Sequence, residues 1–291
     1  MERKLGVILP RDIAASKDIV GLVKEIENIG FDYVVACDHV VLQDQTVHEE
    51  ALKYSLKDKY TDPLTLLAAI ATATSKVELF TGVLILPQRQ TVLVARQAAD
   101  VDIFSEGRLK LGVGVGWVED EFQAMGIGKD FSRRGKKIEE QITLLRLLWT
   151  KNSVTNSNQN ERVEAMGLNP KPVQQPIPIW MGGTDIRVIK RTVKIADGWI
   201  PRGKAEMFNN ELYPALQEQL EIQKRDPATL PIMGKINVRW ESGENDWKRE
   251  GEDWMTSTSI THLSIGSIGG DNKKADDHLE ILLKAIIFFK K

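Results

Sequence analysis

The sequence predicts an α/β fold, a single (β/α)8 TIM barrel with insertion loops, in which residues 1–291 form one domain. Eight short apolar segments alternate with segments of helical periodicity, as parallel strands and their crossover helices do. The second of these segments, residues 31–36, is apolar in its core, which is typical of a strand buried on both faces. The chain has 291 residues, 42% of them hydrophobic, and such a length is ordinary for a closed barrel.

Proline and glycine mark where the predicted elements begin and end. Pro10 and Pro87 follow the first and third strands, Gly30 ends the first helix, and Pro63 suits the first position of the next. The predicted strands are residues 5–9, 31–36, 77–86, 109–115, 177–181, 198–200, 235–240 and 262–265. The predicted helices are residues 16–28, 63–74, a segment within 90–107, 131–149, 185–196, 208–225, 246–256 and 274–289.

Two long polar segments interrupt this alternation. Residues 37–62 show no strong periodicity, and a loop of this length in a compact domain usually serves function or moves. Residues 151–175 include a polar, low-complexity run that predicts either an exposed hairpin or a flexible loop. We expect residues 43–59 of the first segment and residues 151–175 to shape a substrate pocket, although neither contains a recognisable chemical motif.

Composition excludes several function classes. The net charge of −2 and the pI of about 6.2 give no basic surface for nucleic acid. Cys37 is the single cysteine, so no disulfide forms within the chain. No segment has the ~18 apolar residues of a membrane span, and the N-terminal apolar run is too short for a signal peptide. These features predict a cytoplasmic, soluble protein that uses neither nucleic acid nor membrane.

Several catalytic motifs are absent from the sequence. A doubly wound sheet is the alternative fold, but no G-x-G-x-x-G motif opens a helix after the first strand, so a nicotinamide dinucleotide site is not predicted. No G-x-S-x-G nucleophile motif is present. No histidines or carboxylates have the spacing of metal ligands, and we therefore predict no metal site and disfavour a metal-assisted hydrolase.

Glycine occupies every second position of the fourth predicted strand. Gly112, Gly114 and Gly116 share one face there, because side chains alternate along a strand. A glycine inside a strand often marks the close approach of a ligand or of another backbone. This run predicts that something large and flat lies against the strand.

Four segments, in this order, resemble the bacterial luciferase-like superfamily of flavin and deazaflavin oxidoreductases. They are GFDYVVACDH from residue 30, residues 77–122, PIPIWMGGTD from residue 176 and ADGWIP from residue 196. The resemblance extends from about residue 5 to about residue 201. It implies a TIM barrel that binds FMN or the deazaflavin coenzyme F420 at the C-terminal mouth of its strands.

The resemblance implies catalytic roles for three residues. Asp38 and His39 follow the second strand, where Asp38 would contact the cofactor ring and His39 would orient substrate or move a proton. The alternative is that Asp38 caps the next segment and His39 is an ordinary loop histidine. Trp117 stands where several deazaflavin dehydrogenases carry an acidic glutamate, and it would instead stack on substrate or wall off the pocket. Glu119, Asp120 and Glu121 are interpreted as acids at a helix N-terminus.

The resemblance also implies three cofactor-binding segments. Gly82 and Val83 would form a bulge with a cis peptide bond behind the cofactor ring, and Gly114, Val115 and Gly116 would border it. Gly182, Gly183 and Thr184 precede a helix, and backbone N–H groups there suit the cofactor's phosphate. The alternatives are a plain strand glycine at residue 82 and a simple turn at residues 182–184. Arg89 and Arg134 fit the family pattern too, with structural roles expected.

The predicted function is hydride transfer between coenzyme F420 and a small organic substrate. An FMN-dependent monooxygenase, which uses reduced flavin and oxygen and needs a separate flavin reductase, is one alternative. A non-catalytic flavin-binding barrel is another, because an acid is missing at Trp117. The resemblance also makes a homodimer possible, with the apolar residues 286–289 buried either in the barrel or at the partner.

Overall fold

A computed structural model gives the structure of this chain, and it describes residues 3–47, 54, 56–158, 161–239, 244–257, 259–268 and 274–290. Residue 240, the last of the predicted seventh strand, lies outside these residues. The strands are β1 (Lys4–Ile8), β2 (Tyr33–Ala36), β3 (Glu78–Thr81), β4 (Leu84–Ile85), β5 (Leu109–Gly114), β6 (Val154–Ser157), β7 (Arg162–Met166), β8 (Ile179–Gly182), β9 (Gly198–Ile200), β10 (Met233–Arg239) and β11 (His262–Ile268).

The strands other than β6 and β7 form one parallel sheet that closes into a barrel. Their order around the sheet is β10, β11, β1, β2, β3, β5, β8 and β9, and β4 extends the β3 position by pairing with β5. A parallel bridge between Trp199 of β9 and Ile232, just before β10, joins the two ends. The predicted (β/α)8 TIM barrel is thereby confirmed.

Helices follow the barrel strands and cover the outside of the sheet. They are α1 (Arg11–Ala14), α2 (Ile19–Asn28), α3 (Pro63–Ala71), α4 (Thr91–Phe104), α5 (Glu119–Ala124), α6 (Arg134–Thr150), α7 (Ile186–Ile195), α8 (Ala205–Met207), α9 (Tyr213–Gln223), α10 (Glu244–Thr256) and α11 (Ala275–Phe289). Pro63 takes the first helical position of α3, as predicted, and the Asp62 side chain caps the helix by accepting from the Thr65 N–H.

Several boundaries differ from the sequence prediction. The predicted third strand is split, because the sheet pairing stops after Thr81 and resumes at Leu84. The helix predicted from residue 131 begins at Arg134, since residues 128–133 form a 3₁₀ helix. Strands β6 and β7 of the second polar segment pair antiparallel, which favours the hairpin of the two alternatives.

The N-terminal half of the barrel interior is filled by aromatic rings. Tyr33, Phe80, Trp180 and His262 pack edge to face or tilted, with centroids 5.0–6.0 Å apart. The Tyr33 hydroxyl hydrogen-bonds the Ser264 hydroxyl at 3.0 Å. Burial lowers the pKa of His262 to about 3, with Lys4 and Lys110 adding to the effect. This half of the barrel is therefore a packed core, and any ligand space lies at the other end.

The C-terminal helix α11 packs onto the barrel with its apolar face. Ile286 and Phe289 are buried, and a Cβ on Gly251 of α10 would lie 2.1 Å from the Phe289 ring, so that glycine permits close helix contact. Ile287 is 61% exposed. Among the described residues, no helix is long and apolar enough to cross a membrane.

Candidate cofactor and catalytic site

The predicted site residues follow four strands that are neighbours in the barrel. Strands β2, β3 with β4, β5 and β8 lie side by side, and all are parallel. Their C-terminal ends therefore meet at one edge of the barrel. This edge is the mouth where TIM-barrel enzymes carry their active sites.

Val83 lies at the centre of this edge. The Gly82–Val83 peptide bond is cis, as the resemblance predicts. A Cβ on Gly114 would lie 2.6 Å from Val83 Cγ2, and a Cβ on Gly182 would lie 2.6 Å from Val83 Cγ1. The Val83 side chain thus occupies the space that side chains on β5 and β8 would need. The two glycines and the break between β3 and β4 together place this apolar side chain, which is half-buried, at the mouth.

Gly112 in β5 and Gly116, two residues after β5 ends, also make room for the chain's own atoms. A Cβ on Gly112 would lie 2.0 Å from the Thr81 carbonyl oxygen, and the Thr81 hydroxyl donates to the Gly112 carbonyl at 2.7 Å. Gly116 has φ +76°, and its Cβ would press against Ile85 and Phe122. The atoms that approach these glycines closely therefore belong to β3, β4 and α5 of the same chain. Val115 turns its side chain toward the outer core.

Asp38 is buried and holds the bulge in place. Its Oδ2 accepts from the Ile85 N–H at 2.8 Å, and its Oδ1 accepts from Arg89 Nη2 at 2.7 Å. Burial raises the pKa of Asp38, and Arg89 and the Ile85 N–H oppose part of that rise. Both carboxylate oxygens are thus engaged in a structural network. The predicted contact between Asp38 and the cofactor ring stays a prediction.

Arg89 links this network to the start of α3. Its Nη1 donates to Asp62 Oδ2 at 2.8 Å, while Nη2 reaches Asp38. Burial acts to raise the pKa of Asp62, but the Thr65 N–H and Arg89 outweigh it, so that pKa lies below its usual value. Arg134 has a similar tying role, because it donates to the carbonyls of Gly116 and Phe131. The structural roles expected of these two arginines are confirmed.

His39 is bonded to a carboxylate from the helix after β5. Its Nδ1 lies 2.5 Å from Glu121 Oε1, and Glu121 Oε2 accepts from Gln88 Nε2 at 2.8 Å. The rings of Tyr54 and Tyr60 each pack 4.9 Å from the imidazole. His39 is therefore held on two sides by aromatic rings and at Nδ1 by a buried acid, which fixes its ring plane.

Apolar side chains lie on the loops around His39 and β5. Trp117, three residues after the end of β5, is 42% exposed. Val40 and Val41 directly follow His39 and have similar exposure. The His39–Glu121 contact and a hydrogen bond from Gln43 to Asp120 tie the two loops together. Trp117 is thus available to a ligand, and its predicted role stays a prediction.

The loop before α7 is more constrained than the sequence suggests. The Gly183 N–H donates to the Ile200 carbonyl at 3.1 Å, and the Gly183 carbonyl accepts from Trp199 Nε1 at 2.9 Å. Trp199 is wholly buried beneath this loop. A phosphate therefore has to use other groups of the loop, such as the Thr184 hydroxyl, and its binding there stays a prediction.

Asp185, directly after this loop, caps α7. It accepts from the Arg187 backbone N–H at 2.8 Å and from the Arg187 guanidinium at 2.8 and 3.0 Å. The side-chain hydrogen bond from Arg187 lowers the pKa of Asp185 to about 2. Arg202, exposed after β9, comes from the strand next to β8 and reaches the same edge. Its guanidinium is a candidate countercharge for a phosphate, and this role stays a prediction.

These residues fit a flat, phosphate-bearing cofactor in their chemistry. Val83 offers an apolar surface at the mouth, His39 offers a ring nitrogen, and Arg202 and Thr184 offer groups for an anion. In the part of the chain that the structure describes, no three His, Cys, Asp or Glu side chains come together as a metal site.

Sequence reasoning missed Gln88 and the burial of Glu121. Glu121 does lie in the first turn of α5, as interpreted, but it is 4% exposed whereas Glu119 is exposed. The one sequence signal was its position beside the apolar Phe122, on the inward side of a helix start. Its partner His39 is 82 positions away in the sequence, so the pair is visible only in three dimensions.

Comparisons with known proteins agree with this architecture. An uncharacterised protein of Mycobacterium tuberculosis is 31% identical over 174 residues, which cover 58% of this chain and 61% of that relative. The chain thus spans about three fifths of that relative's length. F420-dependent glucose-6-phosphate dehydrogenase of Segniliparus rotundus is 28% identical over 243 residues, covering 82% of this chain and 69% of that enzyme.

A solved structure is similar over the whole fold. An F420-dependent secondary alcohol dehydrogenase in complex with an F420–acetone adduct superposes with a TM-score of 0.82 over 100% of both chains, at 16% identity. At this identity the likeness concerns the fold alone. The model of the family described as luciferase-like monooxygenase matches residues 4–280, nearly the whole chain, and the chain therefore belongs to that family.

Proposed function

We propose that this protein is an oxidoreductase that transfers a hydride between coenzyme F420 and a small organic substrate. The observation that carries the proposal is the position of the Val83 side chain between Gly114 and Gly182 at the mouth of the barrel. A flat ring system needs such an apolar support, and the protein's part is to orient the ring and keep water away. The bound cofactor supplies the hydride chemistry.

The residues of the chain supply binding groups and a proton-exchanging group. His39 Nε2 makes no hydrogen bond to the described residues, and the ring is fixed by Glu121 at Nδ1. A ring nitrogen with a free lone pair can accept a proton from a reacting group. We therefore assign His39 the proton step that accompanies hydride transfer. Trp117, Val40 and Val41 form an apolar wall for substrate beside it.

The choice of F420 over FMN is supported by the relatives. The Segniliparus relative is named as F420-dependent, and the Asp38–His39 pair resembles deazaflavin members. The family description as a monooxygenase supports the alternative, an FMN enzyme that uses oxygen and draws reduced flavin from a reductase. A homodimer and a cytoplasmic location stay predictions.

Binding of F420 and of FMN to the purified protein, measured side by side by fluorescence quenching, tests the proposal. We expect micromolar binding of F420 and much weaker binding of FMN. Electrophilic alkenes, alcohols and imines would then be screened as substrates. As a site control, His39→Gln should retain F420 binding and lose turnover.

Three other outcomes would contradict the proposal in distinct ways. Preference for FMN would favour the monooxygenase. F420 binding without turnover of any screened substrate would favour a non-catalytic barrel. If neither cofactor bound, the assignment of the site would be wrong although the fold is a TIM barrel.

A further inference from the structure

The contact between His39 and Glu121 joins three separate parts of the mouth. His39 follows β2, Gln88 lies in the 3₁₀ turn after β4, and Glu121 lies in α5 after β5. The side chains of His39 and Glu121 are 8% and 4% exposed. A carboxylate buried to this degree requires hydrogen-bond donors to offset its desolvation. Gln88 Nε2 donates to one of its oxygens, and the His39 ring faces the other.

The chemistry of the acceptor decides which nitrogen of His39 carries the proton. An ionised carboxylate accepts hydrogen bonds and donates none. Nδ1, at 2.5 Å from Glu121 Oε1, is therefore the protonated nitrogen, and Nε2 has a free lone pair in the neutral ring. A neutral imidazole side chain in water favours the opposite tautomer, with the proton on Nε2.

Gln88 orients the carboxylate of Glu121. With its Nε2 directed at Glu121, its Oε1 has no partner among the described residues. Leaving a buried amide oxygen unpaired costs free energy. The hydrogen bond from the Gln88 amide to the Glu121 carboxylate offsets this cost, because hydrogen bonds to charged acceptors are strong. Glu119, in the same helical turn, is exposed, so the first-turn position does not explain why Glu121 is buried.

We propose that Glu121 is a positioning residue that holds His39 in the Nδ1–H tautomer, and that Gln88 orients the carboxylate. The Nε2 lone pair of His39 is thereby kept available at the mouth to accept a proton. The use of Nε2 in turnover rests on the proposed function. The tautomer does not, because it is a property of the protein without cofactor or substrate.

A purely structural role for Glu121 makes a different prediction. If Glu121 only tied the loop after β2 to α5, as Gln43 and Asp120 do, then its replacement would lower stability without changing the tautomer of the remaining histidine. The tautomer is thus the measurement that separates positioning from tethering.

Nitrogen NMR of protein labelled with ¹⁵N only in histidine tests the proposal. The chain has four histidines, and His39→Gln assigns the resonances of residue 39. At a pH where the ring is neutral, we expect a protonated-type shift for Nδ1 and an unprotonated-type shift for Nε2. The reverse pattern in the wild-type protein would overturn the proposal, and this measurement needs no variant of Glu121 to fold.

Glu121→Leu removes the acceptor at nearly constant size. We expect the proton to move to Nε2 and kcat to fall by at least about tenfold, because general acid–base catalysis contributes about 100- to 10,000-fold, while KM stays within about twofold. Glu119→Gln, which makes the same charge change at an exposed position of the same turn, is the matched control and should alter neither quantity.

The results for Glu121→Leu can contradict the proposal in two ways. An unchanged Nδ1–H tautomer would mean that another group sets it. A changed tautomer with unchanged kcat would mean that His39 Nε2 is not the group that needs positioning. If F420 does not bind at all, the proposed function fails, but the NMR spectra still decide whether Glu121 sets the tautomer.

Discussion

Gly182→Ala tests whether the glycines of the mouth exist to seat Val83. The added Cβ would lie 2.6 Å from Val83 Cγ1 and 3.4 Å from Cγ2. Carbon atoms pack favourably at about 3.5–4.0 Å, so the Val83 side chain has to shift by about 1 Å. Forcing an extra methyl group into a packed site costs about 1–3 kcal/mol. We expect a loss of unfolding free energy in that range.

The same shift should weaken cofactor binding under the proposed function. The Val83 side chain has little room to shift toward Gly114, because it already lies close to that residue: a Cβ on Gly114 would be 2.6 Å from Val83 Cγ2. We therefore expect the Val83 side chain to move toward the mouth. We expect the Kd for F420 to rise by about tenfold, which corresponds to about 1.4 kcal/mol. Urea unfolding gives the stability and fluorescence quenching gives the Kd.

A double-mutant cycle with Val83→Ala shows whether the methyl group added by Gly182→Ala clashes with the Val83 side chain. If it does, Gly182→Ala costs almost nothing in the Val83→Ala background, and the coupling free energy is at least about 1 kcal/mol. Gly21→Ala is the control, since nothing lies within 4 Å of its Cβ in α2, and it should stabilise the protein by about 1 kcal/mol. Additive costs of Gly182→Ala and Val83→Ala would refute the reasoning.

Two further predictions concern buried charges. His262 has a folded-state pKa of about 3, below its unfolded value, so the unfolded chain binds the proton first and stability falls as pH drops from about 6.5 toward 3. The slope is about 1.4 kcal/mol per pH unit; urea unfolding at pH 7 and pH 5 should show it, and His262→Phe should reduce it. Arg89→Met removes the cation beside buried Asp38 and should cost about 3–5 kcal/mol at pH 7. Because burial raises the pKa of Asp38, this cost should shrink as pH falls, and adding Asp38→Asn should restore much of the stability. An equal cost at pH 5 and pH 7 would show that Asp38 is not the group left unpaired.

Local patterns in the sequence were enough to predict the order of the barrel elements. Strand β9 was predicted with its observed bounds, and Pro63 marks the start of α3 as expected. The short helix α1 was not predicted, and α5 was predicted only as a helix N-terminus at residues 119–121 without an end, because elements of 4 and 6 residues carry too few periodic positions. They form where the surrounding loops pack, which a local pattern does not contain.

The position of the site was predictable because parallel strands end at one edge. Asp38, Val83, Gly114 and Gly182 therefore meet at the mouth once the strands are assigned. The hydrogen-bond partner of each backbone N–H and carbonyl group at the mouth was not predictable. Gly183 looks like a free phosphate donor in the sequence, yet its N–H is taken by the Ile200 carbonyl of the neighbouring strand.

The sequence by itself determined the alternation of strands and helices and the face on which the glycines lie, since both follow from residue periodicity and backbone sterics. Only the tertiary structure decided that Val83 fills the glycine gap and that Glu121 is buried against His39 rather than solvated like Glu119. The physical reason is that hydrogen-bond partners and desolvation depend on which residues meet in space. These contacts join positions 31 to 99 residues apart along this chain, from Val83 with Gly114 to Val83 with Gly182.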